Sequence, residues 1–510
     1  MKSHRFNSKL NLSRQVKEKM GMFTREQLAY CGAIILIGLA LTARPAFAAG
    51  SFMVQCPDHT DMHPLLNGQP NPGIKCQEIA GGDGYATMGD GSQIYLFGFG
   101  PLSGINLINQ GKPGTQATAD FNKMYNGVNL PYTDTANLGV LIPNSLHDSS
   151  KPENLNGAVA EPAVIMNMGV LNAQAPAPMM AFDEDDEFFL TLSNVGMIMR
   201  PDLFEQHTVH FHGYPNASSY FDGVPDVSVA INIAGSMTYY YTAPDAGTYF
   251  WHCHITPPEH IQMGMEGNLY VNPRQNKVTD GGNLYAAAAA HACDTQDILC
   301  ANPLPPLPAN QGATQPAGGA KYVFDDGDGS TRFDVEYPMM MMGFDPNFHY
   351  AGMTFNPEDF SGMKDKYFLL DGRSYPDTVN VTTITTTDSD GISRPSQPLP
   401  SLIKIDKTNG QKLALLRLSN LNITEFHTLT TTGIPMHVVG EHARILRDMA
   451  GNNLDYYTNS VTLGGGESQE VILDATDVPP GTYFLYTSNL DHLSNDNENF
   501  GGMMTEIVVQ

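Results

Sequence analysis

Charge is scarce in this 510-residue chain, and positive charge is scarcest. Charged residues make up 16% of it, against about 25% in ordinary globular proteins. Lys and Arg number 27 against 53 Asp and Glu, a formal net charge of −26. Affinity for a phosphate backbone needs clustered Lys and Arg, so nucleic acid is excluded as a partner. The uncharged stretch from Gln27 to Ala43 is short for a membrane span. Cysteine is limited to six residues. Gly (49) and Pro (35) are plentiful, a mix that favours turn-rich β structure over helix bundles and does not suggest disorder. The length predicts about two to four domains with sizeable cores.

Residues 1–48 read as an export signal. A basic leader (Lys2, Arg5, Lys9, Arg14, Lys17, Lys19, Arg25) precedes the uncharged run, and Ala46-Phe47-Ala48 supplies a small-x-small cleavage pattern. An uncleaved anchor is the alternative; Cys31 follows Tyr30, a poor fit to lipid attachment. Cleavage removes eight basic and two acidic residues and leaves a net charge of −32. Such a surface attracts cations rather than polyanions. The expected location is periplasmic, cell-surface or extracellular, with no transmembrane segment after signal removal. Disulfides are then permitted. Cys56–Cys76 and Cys293–Cys300 suggest themselves as local pairs, which leaves Cys253. An odd thiol in an oxidising compartment needs an occupation.

The expected organisation is a disulfide-pinned arm over 49–89, a β domain over 90–275 with a long insertion, a Pro/Ala-rich linker over 276–320, and a second β domain over 321–510. The two β regions look like copies of each other. Gly247-Thr248-Tyr249-Phe250 recurs as Gly481-Thr482-Tyr483-Phe484. His207-Thr208-Val209-His210-Phe211-His212-Gly213 has a shadow in His427-Thr428-Leu429-Thr430-Thr431-Thr432-Gly433. The expected fold class is all-β, with two sandwiches.

Seven potential metal ligands crowd into two short segments of the first domain: His207, His210, His212, His252, Cys253, His254 and His260, with Met265 following. Strand side chains alternate between faces. Cys253 and His207 should therefore face one site, and His210, His212, His252 and His254 a second on the other side. One thiolate, two imidazoles (His207 and His260) and a thioether (Met265, or alternatively Met263) suit a blue-copper centre. Zinc also takes Cys and His, but a Met ligand argues against it. The all-imidazole site suits copper, zinc or iron. His252-Cys253-His254 would join the two sites covalently.

These residues resemble those of the multicopper oxidases and, more distantly, the copper nitrite reductases. The His207–Gly213 segment is similar to the oxidase pattern His-Pro-x-His-x-His-Gly, with Thr208 in place of proline. His252-Cys253-His254-Ile255 through His260 to Met265 is similar to the family's His-Cys-His signature, with two extra residues around Pro257-Pro258. The resemblance covers roughly 90–510 if weaker similarities such as Asp371–Pro376 are counted. It implies two cupredoxin-like domains, often assembled as homotrimers. It also implies type 1 copper on His207, Cys253, His260 and Met265. His210, His212, His252 and His254 would form half of a trinuclear copper cluster that reduces dioxygen to water. The second domain has Thr430 and Thr432 in place of His210 and His212, and Tyr486-Thr487-Ser488 in place of His252-Cys253-His254. The other half of the cluster is missing from its expected positions.

The leading expectation is an exported copper oxidoreductase, taking electrons from a small-molecule or metal-ion donor and passing them to oxygen. The alternatives are a nitrite-reductase-like enzyme with one type 1 and one mononuclear copper, and a non-catalytic cupredoxin for electron transfer, copper binding or a cell-surface role. His437 and His442 resemble a nitrite-reductase segment that carries a substrate-side histidine, or are structural. His492 is the nearest second-domain alternative to Ser488 as a ligand. His59 and His63 are surface residues or missing ligands. Met339–Met342 are core gap-fillers or Cu(I) ligands, and Asp325-Asp326-Gly327-Asp328-Gly329 is expected as a solvated turn.

Overall fold

The computed structural model describes residues 52–123, 158–160, 162–214, 218–243, 245–290, 310–354, 356–448 and 450–510. The leader, the Cys293–Cys300 pair, most of the insertion and the proline-rich stretch of the linker lie outside the described residues. None of the described helices is long and apolar enough to cross a membrane.

A five-stranded and a four-stranded sheet build the first sandwich, the fifth strand being the short Gln116–Ala117 segment paired with Lys75 and Cys76. Its strands are β1 (Ile74–Thr87), β2 (Gln93–Pro101), β3 (Ala177–Asp183), β4 (Glu187–Gly196), β5 (His210–His212), β6 (Ser236–Thr242), β7 (Gly247–His252) and β8 (Glu266–Asn272). One sheet runs β2-β1-β4-β6 and the other β3-β8-β7-β5. The apolar residues of both inner faces meet in one core that includes Phe99, Phe188, Tyr239, Trp251 and Cys253.

The second sandwich repeats the four-strand order of each sheet and extends both with further strands. Its members are β9 (Val335–Phe344), β10 (Tyr367–Leu370), β11 (Ile403–Ile405), β12 (Leu413–Asn420), β13 (His427–Thr431), β14 (Met436–Glu441), β15 (Ser460–Leu463), β16 (Glu467–Asp474), β17 (Gly481–Thr487) and β18 (Met504–Val509). The sheet orders are β10-β9-β12-β16-β14 and β11-β18-β17-β13-β15. Even the parallel pairings recur: β1 with β4 as β9 with β12, and β3 with β8 as β11 with β18. The duplication seen in the sequence is therefore a duplication of topology.

One boundary needs correction. Ile74–Thr87, placed in an arm by the sequence, is a 14-residue strand inside the first sandwich, paired with both β2 and β4. The Gly81-Gly82-Asp83-Gly84 run interrupts its side-chain alternation and hides it. That glycine is needed where it stands, because a Cβ on Gly81 would lie 2.8 Å from Cδ2 of His207. The Cys56–Cys76 disulfide forms as expected and pins the preceding segment to this strand.

Two minor readings also resolve. Met339–Met342 are fully buried in β9 and serve as core. Asp326 is not in a solvated turn: it is fully buried and accepts hydrogen bonds from Gln275, Asp328, Gly329 and Thr331.

The two sandwiches meet along β7 and β16. Glu470 Oε1 accepts from the Thr248 amide at 2.6 Å, and Ser468 donates to the Thr248 carbonyl at 2.8 Å. Asn268 donates to Asp371 at 3.1 Å, and Gln262 to Asp365 at 3.0 Å. Burial pushes the Glu470 carboxyl up to about 7 from its ordinary 4.5, with the Thr248 amide and Arg417 pulling the other way. A folded-state acid raised in this way holds its proton longer than the unfolded one, so stability falls as pH rises between those values. Glu470→Gln is expected to remove up to about 3 kcal/mol of that decline. Denaturation midpoints from pH 4.5 to 7 check this; parallel curves for variant and wild type would refute it.

Candidate metal centres

Strand β5 lies antiparallel to β7 with His210 opposite His252 and His212 opposite Phe250. His207 and Cys253 lie just beyond the ends of these strands and face the other way. Helix α1 (Pro257–Gln262) then returns the chain so that His260 joins them. The two extra residues of this loop are its opening prolines, a position where a missing N–H costs nothing.

The result is two separate groups of ligating atoms, His207/Cys253/His260 and His210/His212/His252, with the atoms of each group within 4.8 Å of one another. In the first, Cys253 Sγ stands 3.2 Å from His260 Nδ1 and 4.0 Å from His207 Nδ1. Metal–sulfur and metal–nitrogen bonds of about 2.3 and 2.0 Å at trigonal angles require roughly 3.8 Å between donors, so the pocket fits a metal ion. All three residues are fully buried and Cys253 is a free thiol. Burial alone would push the Cys253 thiol up, but the His260 and His207 imidazoles outweigh it and hold it well below its ordinary range. The donor set is thus a thiolate with two imidazoles, the set that suits copper.

Met265 is fully buried and closes the loop through its backbone. Its amide donates to the His260 carbonyl at 2.8 Å, and its carbonyl accepts from the Cys253 amide at 3.1 Å. Met263 packs elsewhere: a Cβ on Gly352 would lie 3.1 Å from its Sδ. The outer nitrogen of His260 lies 3.5 Å from Glu205 Oε2, a partly exposed carboxylate. Glu259 stands beside this edge, its acidity weakened by burial and by Glu358 and Glu205.

In the second group, His212 Nδ1 faces His252 Nε2 at 3.3 Å. His210 Nδ1 donates to the Asp222 carbonyl at 2.6 Å, and His252 Nδ1 to the Cys253 carbonyl at 2.8 Å. Each bond fixes a tautomer and leaves Nε2 free for a metal. Burial holds His252 well below its ordinary range and His212 near 4, so both rings are neutral ligands at physiological pH. His254 joins at the edge, its ring centroid 5.1 Å from that of His210 and 5.7 Å from that of His252.

His212 also lines a cleft of about 420 Å³ whose other wall is the second sandwich, including Asn422, Thr424, Glu425, Phe426 and Gly466. A Cβ at Gly466 would approach His212 Nε2 to 3.4 Å. The other histidines are accounted for differently. His63 bonds Glu187 at 2.8 Å, His437 bonds Asp455 at 2.7 Å, and His442 is exposed with a left-handed φ of 52°. His492 is buried against Glu425 and Phe368 within the second sandwich. Glu205, Asp222 and Gly466 escape the sequence reading because nothing in their neighbourhoods has a motif's spacing.

The molecule is thus a duplicated β sandwich with a buried thiolate–imidazole pocket and a histidine cluster on opposite sides of one peptide. Residues 156–276 match the family model described as multicopper oxidase. The chain is 31% identical over 112 residues to "Multicopper oxidase MCE" of Talaromyces pinophilus, covering 22% of this chain and 17% of that one. It is 37% identical over 87 residues to "Iron transport multicopper oxidase FET3" of Gibberella zeae, covering 16% and 13%. The chain thus spans less than a fifth of the length of the curated relatives it matches. Among solved structures, a blue copper oxidase from Nitrosomonas europaea aligns at 18% identity over 85% of both chains, with a TM-score of 0.48.

Proposed function

We propose that the protein is an exported copper oxidoreductase of multicopper-oxidase type. The observation that carries this reading is the pair of donor groups joined by His252-Cys253-His254. His207, Cys253, His260 and Met265 hold one copper; His210, His212, His252 and His254 hold copper at the second centre. Copper at the first centre would accept single electrons from a donor, and copper at the second would supply them to dioxygen.

The residues around the centres divide the remaining work. Full burial of His207, Cys253 and His260 excludes water from the first pocket. Glu205, a partly exposed carboxylate 3.5 Å from the outer nitrogen of His260, links that ring to the surface. With the acidic balance of the chain, this edge favours a cationic donor such as Fe(II) or Mn(II). The backbone of His252-Cys253-His254 would provide the covalent path between the two centres. The cleft beside His212 admits a small acceptor, and the partly exposed Asp222 carboxylate, 3.6 Å from His210 Nδ1, adds negative charge beside that ring.

A second reading draws on Thr430, Tyr486 and Ser488. The strand register sets Thr430 opposite Tyr486 as it sets His210 opposite His252, so this chain's second sandwich offers none of the missing cluster ligands at those positions. A nitrite-reductase-like enzyme with one histidine-bound copper meets that constraint, as does an oxidase whose cluster is completed between subunits of a homotrimer. Copper analysis with oxygen-uptake assays on Fe(II), Mn(II) and a phenol, and a nitrite assay, separates them. The oxidase predicts oxygen uptake and up to about four copper ions per chain. Nitrite turnover without oxygen uptake would replace it, and about one copper with neither activity would leave an electron carrier.

A further inference from the structure

The second sandwich contains a near-copy of the first copper pocket with only its sulfur exchanged. Thr487 occupies the place of Cys253: its amide donates to the Met503 carbonyl at 2.9 Å, as that of Cys253 donates to Met265 at 3.1 Å. The Met503 amide donates to the His492 carbonyl at 3.0 Å, as that of Met265 donates to His260 at 2.8 Å. The His427 and His492 ring centroids are 5.2 Å apart, against 5.4 Å for His207 and His260. Phe368 stands edge-on to His427 at 6.2 Å, as Phe99 stands to His207 at 6.3 Å. Glu425, two residues before His427, bonds His492 Nε2 at 2.7 Å, as Glu205, two residues before His207, approaches His260.

Three of the four ring nitrogens are also chemically unemployed. His427 is fully buried and His492 is 2% exposed, yet both nitrogens of His427 and Nδ1 of His492 lack any hydrogen-bond partner. Buried polar groups rarely go unpaired without a reason. A histidine pair kept only for packing would be replaceable by apolar residues, whereas three idle nitrogens in a pocket whose loop closes on the fully buried Met503 make a donor set.

We propose that this pocket binds Cu(I), through His427, His492 and the Met503 thioether. Charge selects the oxidation state. The donors are neutral, and the single carboxylate at hand, Glu425, balances one positive charge. The first pocket has a thiolate in addition to Glu205 and can therefore also stabilise a divalent ion. Thioether and imidazole favour the softer cation, and the Thr487 hydroxyl is engaged by the Asn489 amide at 3.2 Å. Lacking a thiolate, the site is colourless and adds nothing to the visible spectrum of the first.

The test uses the whole protein, loaded with Cu(I) under anaerobic conditions and equilibrated with a competing Cu(I) chelator. His427→Gln and Met503→Leu are each expected to retain about one copper fewer per chain than wild type, with the blue colour of the oxidised protein unchanged. Equal copper retention in wild type and both variants would overturn the site. A gain-of-signal arm is independent of any loss of folding: Thr487→Cys in a Cys253→Ser background should turn blue with copper. If that doubly substituted protein is folded by circular dichroism and colourless with copper, the pocket does not have the proposed geometry. A copper-loaded wild type that is itself colourless would refute the first centre instead, and leaves the chelator comparison intact as the measure of the second pocket.

Discussion

Serine at position 253 is expected to leave the protein colourless, short of about one copper per chain, and slower in donor oxidation by roughly 10³-fold or more. The exchange keeps size and removes the thiolate. Cys253 is fully buried, with the Thr208 amide pointing at its sulfur from 3.4 Å and imidazole nitrogens at 3.2 and 4.0 Å. A hydroxyl there cannot ionise near neutral pH, so the strongest ligand and the chromophore disappear together. His210, His212 and His252 do not touch the exchanged atom and should retain their copper. Visible absorption, metal analysis and oxygen uptake on one preparation check all three. A blue Cys253→Ser protein would remove this residue from the first centre.

His212→Ala is expected to give the complementary result: colour kept, oxygen uptake reduced by roughly 10²-fold or more. The ring stacks on Phe250 at 4.5 Å and faces His252 Nε2 at 3.3 Å. It also forms the first-domain wall of the cleft toward the second sandwich. Its loss weakens the second centre and leaves the buried thiolate pocket untouched. A reducing donor should therefore still bleach the blue colour, while return of the colour in air becomes slow. Undiminished oxygen uptake would place oxygen chemistry elsewhere in the molecule.

The division of histidines between two centres was legible because strand alternation is a two-residue rule acting over short segments, from His207 to His212 and from His252 to His254. The free cysteine was legible by elimination. What escaped depended on chain returns. Glu205 and Asp222 matter through contacts that no periodicity encodes. Strand β1 was hidden by the glycines that make room for His207. The pairing of His427 with His492 was hidden because the residue between them in the pocket is Thr487, and a signature built on cysteine does not register threonine. Glu205-Gln206-His207 beside Glu425-Phe426-His427, and Met265 beside Met503, were the available signals, visible only once the duplicated strands are aligned.

The hydrogen bond from His252 Nδ1 to the Cys253 carbonyl has a mechanical consequence. The residue whose sulfur serves one centre also supplies the oxygen that steers a ring of the other. The peptide between them works as a short rigid lever, so a shift of the sulfur rotates an imidazole on the far side. Through this one peptide, His252 is coupled to the position of Cys253. A substitution that strains the thiolate pocket should therefore be felt in the magnetic spectrum of the histidine cluster, even when every cluster residue is unchanged.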